Sequence, residues 1–554
     1  MTADGGQPQP GPGQQQRDAA DLQHQAKLEA FRRRTHDMYE AVAEKPLSVT
    51  DVRVDAHAAG GADAPRGLRT RQAILERELQ RVYDAKSLRE VHAALETAVE
   101  HLQQLEAFRR IDALIDEDPR GAPDACSVQL DLQERGWYSG GVQTFMQANE
   151  GLVQANVALR NLFGAADQWR LTAEYGHRSS FDFAALFRLP RAGGRPWTPD
   201  VGVFRRSLNL EPYSSLADTM RGLELGVSSA DGATRLSYTW GWRSLVAGAA
   251  ASRPVRAQRG DFLSDALRWT WVVDERDSAT VHTEGWGTRL ASELGGLFPG
   301  AGYRYAKQRL DWVWAAPVND TVAVNVSIGG GLIAGLSGGA SPAARPSGGG
   351  GGGGGGEPSP RDAPAGARPA TYIGERFFLG GADSVRGFAY RGLGPSAERA
   401  RRRDGGGGGG AGGGGDAGAG EGPARDALGG DLFASLYAGL ITRLPGQLGD
   451  IGGCAHAFIN GGSSSLLSSP PAPLPAAFEP PAALGGAAGA AARRVAELAA
   501  SCRWSAGLGL VLPTPFGRFE ANYVWVLSSQ PGDLPKAGMQ FGFAASPIAP
   551  AGPM

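Results

Sequence analysis

From Gly136 onward, apolar and polar residues alternate along the chain. The alternation is clear in residues 169–176 (WRLTAEYG) and 181–189 (FDFAALFRL), and a period of two predicts β-strands with one apolar and one polar face. Aromatic residues also recur two positions apart, so each pair lies on one face of a strand. The pairs are Trp240 and Trp242, Trp269 and Trp271, Tyr303 and Tyr305, and Trp312 and Trp314. The interfacial girdles of membrane barrels need such pairs, although a soluble β-sandwich could bury them.

The number of available residues favours the barrel. Three low-complexity stretches, at 337–370, 396–430 and 463–496, have the composition of flexible linkers and are predicted to be expanded loops. Outside them, residues 140–546 leave about 300 residues, so sixteen strands would have about 19 residues each. That length accommodates a tilted spanning strand of roughly 9–11 residues with its turns. The sequence therefore predicts a sixteen-stranded antiparallel transmembrane β-barrel over 140–546.

Two amphipathic helices are predicted before the barrel. Apolar side chains recur at three- and four-residue spacing in residues 74–82 and again in residues 88–105, which is the period of one helix face. Thr70 is the predicted cap of the first helix. Ser87 and Glu90 have the spacing of a capping box at the start of the second helix.

Short alternating segments surround these helices. Residues 49–54, 111–115 and 128–132 alternate as strands do, so the predicted order over 46–135 is β-α-α-β-β. This is one small α+β domain. It follows a tail, residues 1–45, whose low apolar content predicts a disordered or partly helical segment.

Composition limits the possible functions. Lys plus Arg number 55 and Asp plus Glu number 57, so no net field would attract nucleic acid. The three cysteines and eight histidines have no metal-ligand or catalytic spacing, and we predict no catalytic residue, no metal and no cofactor. No run of 18 apolar residues exists, so no transmembrane helix is predicted.

Candidate functional residues are concentrated in segment 371–395, TYIGERFFLGGADSVRGFAYRGLGP. The central motif is Val385, Arg386, Gly387 and Phe388, and the supporting glycines are Gly380, Gly381 and Gly394. Glycines allow tight backbone and positive φ, while the aromatic residues supply apolar area for docking. A guanidinium among apolar groups needs a carboxylate or aromatic partner, because an unpaired charge out of water is costly. We predict that the segment docks on a wall; a glycine-rich turn with a solvated arginine is the simpler alternative.

The run GERFFLGGADSVRGF, followed by RGLGP, resembles the signature of the outer-membrane β-barrel insertase superfamily, also known as the bacterial surface antigen family. In that superfamily the VRGF-type motif lies on a loop folded back into the barrel lumen, and POTRA domains precede the barrel. Residues 150–176, 429–446, 454–462 and 501–523 resemble barrel strands of the mitochondrial members, which belong to the sorting and assembly machinery. A single POTRA-like domain at 46–135 also favours the mitochondrial members.

The resemblance implies an outer-membrane insertase, not an enzyme, that folds β-barrel precursor proteins and releases them laterally. The implied partners are these precursors, peripheral subunits of a sorting and assembly complex, and the lipid bilayer. The implied location is the mitochondrial outer membrane, with the N-terminal domain in the intermembrane space. The alternatives are a polypeptide-translocating channel of the chloroplast outer envelope and a solute porin.

The resemblance also suggests partners for Arg386. Several relatives have Phe-x-Asp-x-Gly on the strand that contacts the loop arginine, whereas this chain has Asn460 at the acidic position of FINGG. Asn460 can accept a hydrogen bond but cannot neutralise a guanidinium. In GRFEANY, alternation places Glu520 on the face that points into the lumen. Glu520 is therefore the predicted ionic partner, although a Glu that merely faces luminal water is the alternative.

The last predicted strand carries a second motif. In KAGMQFGF, residues Lys536, Gly538, Phe541 and Phe543 fit the pattern polar-x-Gly-x-x-hydrophobic-x-hydrophobic, which resembles the β-signal of mitochondrial outer-membrane barrels. Only a short tail, including residues 547–554, follows it, so the motif occupies the closing strand. The first strand is predicted at about 142–149.

Overall fold

The computed structural model describes residues 33–34, 37–57, 67–118, 124–147, 150–336, 371–382, 384–400, 425–469, 473–478, 486–514 and 517–544. The chain divides into two compact units. The first comprises Met1–Trp137, Arg160–Asp167 and Gly193–Arg195, and the second comprises Tyr138–Leu159, Gln168–Ala192 and Pro196–Met554. The predicted insertion at 337–370 and the tail at 547–554 lie outside the described residues.

A three-stranded sheet and two helices form the small N-terminal domain. The strands are β1 Ser48–His57, β2 Phe108–Glu117 and β3 Ala125–Glu134, and the helices are α1 Gln72–Tyr83 and α2 Leu88–Gln104. The central strand β3 is parallel to β1 and antiparallel to β2. The apolar stripes of both helices pack on the sheet, and the buried core includes Leu79, Val82, Val91, Leu102 and Leu130. The predicted β-α-α-β-β order is confirmed.

The two helices of this domain begin differently. The hydroxyl of Ser87 accepts a hydrogen bond from the backbone N–H of Glu90 (3.3 Å), as the capping-box spacing predicts. The predicted Thr70 cap is wrong, because Arg71 occupies the N-cap position of α1 without a side-chain cap. Thr70 instead donates its backbone N–H and its hydroxyl to Glu134, at 2.9 and 2.7 Å. Burial alone would raise the pKa of the Glu134 carboxyl, but these bonds help to lower it below its usual value.

The second unit is a sixteen-stranded antiparallel sheet, as predicted. Its strands in order are β4 Tyr138–Gln147, β5 Glu150–Arg160, β6 Gln168–Gly176, β7 Phe181–Arg188, β8 Trp197–Asn209, β9 Leu216–Ser229, β10 Thr234–Ala247, β11 Gly260–Asp274, β12 Gly285–Gly295, β13 Tyr305–Pro317, β14 Val322–Gly335, β17 Leu432–Arg443, β18 Cys454–Ser465, β19 Arg503–Thr514, β20 Gly517–Val526 and β21 Gly538–Ala544. Strands β15 Ser396–Glu398 and β16 Arg425–Ala427 form a separate hairpin between β14 and β17.

The faces of this sheet are polar inside and apolar outside. Leu223 and Leu225 are 43% and 54% exposed, whereas Glu224 between them is only 4% exposed. The predicted pairs Trp240 with Trp242 and Trp269 with Trp271 are also on the exposed face. A soluble sandwich would bury these side chains, so the pattern fits a lipid-facing wall. The prediction that Tyr303 and Tyr305 share an outward-facing strand face is wrong. Tyr303 precedes β13, and Tyr305 is buried, where its hydroxyl donates to Glu293.

Strands β4 and β21 are the two ends of the strand order, and we call their junction the seam. Within the described ranges no ladder of backbone hydrogen bonds joins them, although Cα atoms of the two strands approach within 8 Å. The first strand begins at Tyr138, four residues before the predicted 142. The closing strand β21 has seven residues, compared with fourteen in β9 and in β10.

Two of the predicted low-complexity insertions contain regular structure. The 396–430 insertion includes β15 and β16, and the 463–496 insertion overlaps the end of β18 and most of a helix, Gly486–Ala500. That helix is α6; one-turn helices precede it at α3 Glu211–Ser214, α4 Arg253–Arg256 and α5 Gln447–Asp450. The linker predicted from its composition is wrong over this range, because alanine has high helix propensity, and Arg493 and Arg494 pair with Glu497 one turn away. Among the described residues, no helix is long and apolar enough to cross a membrane.

Candidate functional site

Residues 371–395, which we call the inner loop, lie against the inner face of the sheet. Val385 and Phe388 of the motif are buried there, at 0% and 1% exposure. They belong to an apolar cluster with Phe377, Leu379 and Leu393 of the loop and Tyr305, Ile333 and Phe433 of the strands. Burial of apolar area is non-directional, so it holds the loop against the wall without fixing its register.

Arg386 supplies the directional contact. Its Nε and Nη2 atoms donate to the two carboxylate oxygens of Glu520, each at 2.7 Å. The guanidinium carbon also lies 5.0 Å from the ring centre of Tyr437 and 5.1 Å from that of Phe458. A bidentate arginine–carboxylate pair fixes both position and orientation, and the aromatic rings stabilise the cation. The structure thus brings together the two residues that the sequence proposed as ionic partners.

Glu520 is fully buried and has two further polar neighbours on its own strand. Arg518 Nε lies 2.7 Å from Oε1, and Asn522 Nδ2 donates to Oε2 at 2.8 Å. Asn522 in turn contacts Nε2 of His456 through its Oδ1 atom, at 2.7 Å. One carboxylate is therefore shared between two guanidinium groups, so it would keep a cationic neighbour if Arg386 were removed.

Asn460 has a different position from Glu520. It is buried on β18, and its Oδ1 atom contacts the hydroxyl of Ser505 at 3.1 Å. The same hydroxyl donates to the backbone carbonyl of Arg386. Asn460 is thus linked through Ser505 to the main chain of the inner loop, whereas Glu520 binds the guanidinium itself.

The motif glycine allows the loop to approach the wall. Gly387 has φ of 91°, and a Cβ atom there would lie 2.8 Å from Cβ of Ser505, closer than real side chains pack. A larger residue would both strain the backbone and push the loop from β19. The supporting glycines also have positive φ, with values of 107°, 111° and 118° at Gly380, Gly381 and Gly394.

The closing-strand residues are divided between the strand and the loop before it. Lys536 lies outside β21, contrary to the prediction, because its backbone N–H donates to the carbonyl of Gly387 (2.8 Å) and the strand begins at Gly538. Gly538 has φ of 93°. Phe541 is exposed on the outer face, and Phe543 packs its ring 5.3 Å from that of Phe519 on β20.

A second charged anchor, which the sequence reasoning missed, holds the start of the inner loop. Glu375 accepts from Nη1 of Arg243 at 2.5 Å and from Nζ of Lys307 at 3.1 Å. Arg243 also donates to Asp218 at 2.7 Å and lies 4.4 Å from the ring centre of Tyr372. Burial alone would raise the pKa of the Glu375 carboxyl, but Lys307 and Arg243 outweigh burial and hold that pKa well below its usual value. Glu375 stands in the quoted motif run, but no pattern in the sequence indicated which strands it would meet.

The inner loop therefore spans the lumen between two walls, with Glu375 bound to β10 and β13 and Arg386 bound to β20. A polar cavity of about 470 Å³ lies beside it. Among the described residues, no group of three His, Cys, Asp or Glu side chains could hold a metal ion. These contacts fix a long loop by charge inside a barrel wall.

The protein is a sixteen-stranded antiparallel barrel, and the loop that carries its VRGF motif is bound to the inner wall. These two features together define a class of outer-membrane β-barrels. The profile described as "Omp85 superfamily domain" matches residues 161–546. The chain belongs to the Omp85 superfamily.

Individual relatives cover most of the chain. It is 27% identical over 493 residues to Sorting and assembly machinery component 50 homolog A of Xenopus laevis, with 86% of this chain and 87% of the relative covered. It is 26% identical over 485 residues to the Homo sapiens Sorting and assembly machinery component 50 homolog, with the same coverage. Among solved structures, BamA from Haemophilus ducreyi lacking POTRA domains 1-3 has a TM-score of 0.61 at 14% identity, over 89% of this chain and 84% of that one. These findings support an outer-membrane β-barrel insertase and do not favour the chloroplast channel.

Proposed function

We propose that the protein folds β-barrel precursors at the seam between β4 and β21 and releases them laterally into the mitochondrial outer membrane. The observation that carries the proposal is the absence of a backbone ladder between these two strands within the described residues. An unpaired strand edge presents free N–H and C=O groups that can template an incoming strand by β-augmentation. A strand added at the seam would bury these groups while it folds.

The inner loop has a mechanical role in this proposal. Its two charged anchors, Glu375 and Arg386, join distant parts of the inner wall. The contacts between the loop and the inner wall help the barrel to keep its shape when the seam opens. They replace part of the stabilisation that pairing between β4 and β21 would give. The chain acts by pairing strands and needs neither a catalytic residue nor a cofactor.

The sorting and assembly relatives support the finer assignments. We propose a mitochondrial location, a POTRA-like N-terminal domain in the intermembrane space, and peripheral subunits that bind around the barrel. Fractionation of mitochondria and plastids tests the location. Recovery of the protein only in plastid envelopes would contradict it.

Crosslinking separates insertion at the seam from passage through a channel. Val142 lies on β4 at the seam, whereas Ser435 lies on β17 beside the luminal cavity. We expect a cysteine at position 142, in a cysteine-free background, to crosslink with a cysteine in the last strand of an arriving β-barrel precursor. The matched variant Ser435→Cys should give little crosslink. Crosslinks confined to Ser435→Cys would instead indicate transport through the lumen and would contradict insertion at the seam.

A further inference from the structure

The inner loop pairs with the segment that leads into the closing strand. Leu534 accepts from the backbone N–H of Ala389 at 2.9 Å and donates its own N–H to Gly392 at 2.7 Å. The N–H of Lys536 donates to the carbonyl of Gly387 at 2.8 Å. Phe388 and Pro535 form an antiparallel bridge within this pairing. The loop thus acts as a short extra strand beside the connection from β20 to β21.

One side chain extends this pairing onto β21 itself. Gln540 is 7% exposed and lies between Met539 and Phe541, which are 55% and 65% exposed on the outer face. Its Oε1 atom accepts from the N–H of Gly387 at 3.1 Å, and its Nε2 atom donates to the carbonyl of Lys536 at 2.5 Å. The side-chain amide of Gln540 therefore links Gly387 of the motif to Lys536, which lies two residues before the strand begins.

The loop also contacts β21 at a glycine, Gly542. A Cβ atom added at Gly542 would lie 2.5 Å from Cβ of Ala382. Only glycine permits such a close approach, so Ala382 covers the strand two residues beyond Gln540. The loop contacts the inner side of β21 at both positions, while β20 pairs with one edge of the strand.

We infer that Gln540 is a positioning residue that couples the inner loop to the closing strand, so that the strand cannot move from the seam without releasing the loop at Gly387. The inference rests on the proposed function, in which the seam opens during client assembly. A strand of seven residues has few ladder bonds of its own. The loop supplies a second set of contacts that holds it in place while the seam is closed.

A disulfide between the loop and the strand tests the coupling in the full-length protein. The starting variant replaces Cys126, Cys454 and Cys502, all free thiols, with alanine, and then carries Ala382→Cys with Gly542→Cys. The two Cβ atoms must separate by about 1 Å to reach the roughly 3.8 Å of a disulfide. We expect rapid oxidation of the membrane-inserted protein, loss of client assembly in the oxidised form, and recovery after reduction.

The outcomes separate the coupling from the insertase function. Failure to oxidise in a variant whose reduced form assembles client would overturn the contact, and normal client assembly by the fully oxidised protein would overturn the coupling. If the cysteine-free parent inserts but assembles no client, the insertase proposal is wrong, while the oxidation rate still decides whether loop and strand are in contact.

The role of Gln540 is tested by Gln540→Met, which keeps the shape of the side chain but has no amide. Loss of a net hydrogen bond corresponds to roughly a 2- to 10-fold shift toward the released loop. We expect trypsin to cleave faster at Arg391 by about that factor, because cleavage follows the small population of released loop. The control Met539→Ala changes the neighbouring outward-facing residue and should leave the cleavage rate unaltered. Equal rates for Gln540→Met and Met539→Ala would overturn the assignment.

Discussion

Removal of the Arg386 side chain should release the inner loop without unfolding the barrel. The Arg386→Ala change deletes two charge-assisted hydrogen bonds of 2.7 Å to Glu520. It also removes the cation from between the rings of Tyr437 and Phe458. The backbone ladders of the sixteen strands are unaffected, because within the described part of the chain none of them includes the loop.

The expected magnitude follows from what remains around Glu520. Hydrogen bonds to charged groups contribute about 1.5–3 kcal/mol each, and breaking a buried ion pair costs about 3–5 kcal/mol when the remaining charge has no partner. Here Arg518 stays 2.7 Å from the carboxylate, so the penalty for an unpaired charge is largely avoided. We expect a loss of about 1.5–3 kcal/mol, below the sum of two such bonds because Arg518 and Asn522 still bind the carboxylate, and this shifts the equilibrium toward the released loop by roughly 10- to 150-fold.

A double-mutant cycle measures the pair directly. Arg386→Ala, Glu520→Gln and the double variant are compared for trypsin cleavage of the loop and for client assembly, with carbonate extraction as the control for insertion. The two single variants should have similar defects, and the double variant should be little worse than either, because both remove the same interaction. Arg386→Lys should restore assembly only in part, since an ammonium cannot reproduce the planar fork.

Two results would refute this account. Additive defects from Arg386→Ala and Glu520→Gln would mean that the two side chains act independently. Normal client assembly by Arg386→Ala, together with unchanged trypsin protection, would show that the loop needs no ionic anchor at this wall.

Three further predictions concern other parts of the chain. Deletion of the glycine runs 348–356 and 405–415 should leave carbonate-resistant protein and complementation intact, because such segments bury little apolar surface; loss of integrated protein would contradict their assignment as loops. Gly538→Ala combined with Phe541→Ala should slow import of the radiolabelled chain into the membrane, since φ of 93° strains an alanine; insertion at the normal rate would count against the closing-strand motif. Because the pKa of Glu375 is lowered in the folded protein, its anchor contributes fully above the ordinary value of 4.5 and is lost as the pH falls through the folded value. Protection of the inner loop from pepsin, which is active in acid, should therefore weaken below about pH 4.5 in the wild-type chain but not in Glu375→Gln; equal acid sensitivity of the two would contradict the anchor.

Alternation was enough to predict the wall of the barrel and the direction of its side chains. The pattern of GRFEANY places Glu520 on the inner face, and a motif arginine that needs a carboxylate leaves few candidates there. Alternation carries no information about which distant strand an inner residue will face. Glu375 and Gln540 therefore could not be matched to Lys307 and Gly387, whose proximity depends on the path of the loop across the lumen.

Composition was a weaker guide than periodicity. The stretch that contains α6 has the proline and alanine content of a linker, yet residues 486–500 form a helix with Leu498 buried. Helix propensity and pairs one turn apart act over a few residues, so they disappear when a long segment is averaged. Lys536 shows the opposite error, since a motif match assigned it to a strand whose first residue is Gly538.

The short closing strand also affects the lipid around the barrel. At about 3.4 Å per residue and a tilt of roughly 45°, the seven described residues of β21 span about 17 Å, whereas the fourteen of β9 span about 34 Å. The hydrocarbon core is about 30 Å thick, so β9 can cross it fully, whereas the described part of β21 covers little more than half of it. Mismatch costs a fraction of a kcal/mol per Å, and it is relieved when the membrane thins. We therefore expect the bilayer to be thinner at the seam, where a new strand would enter, than along β9.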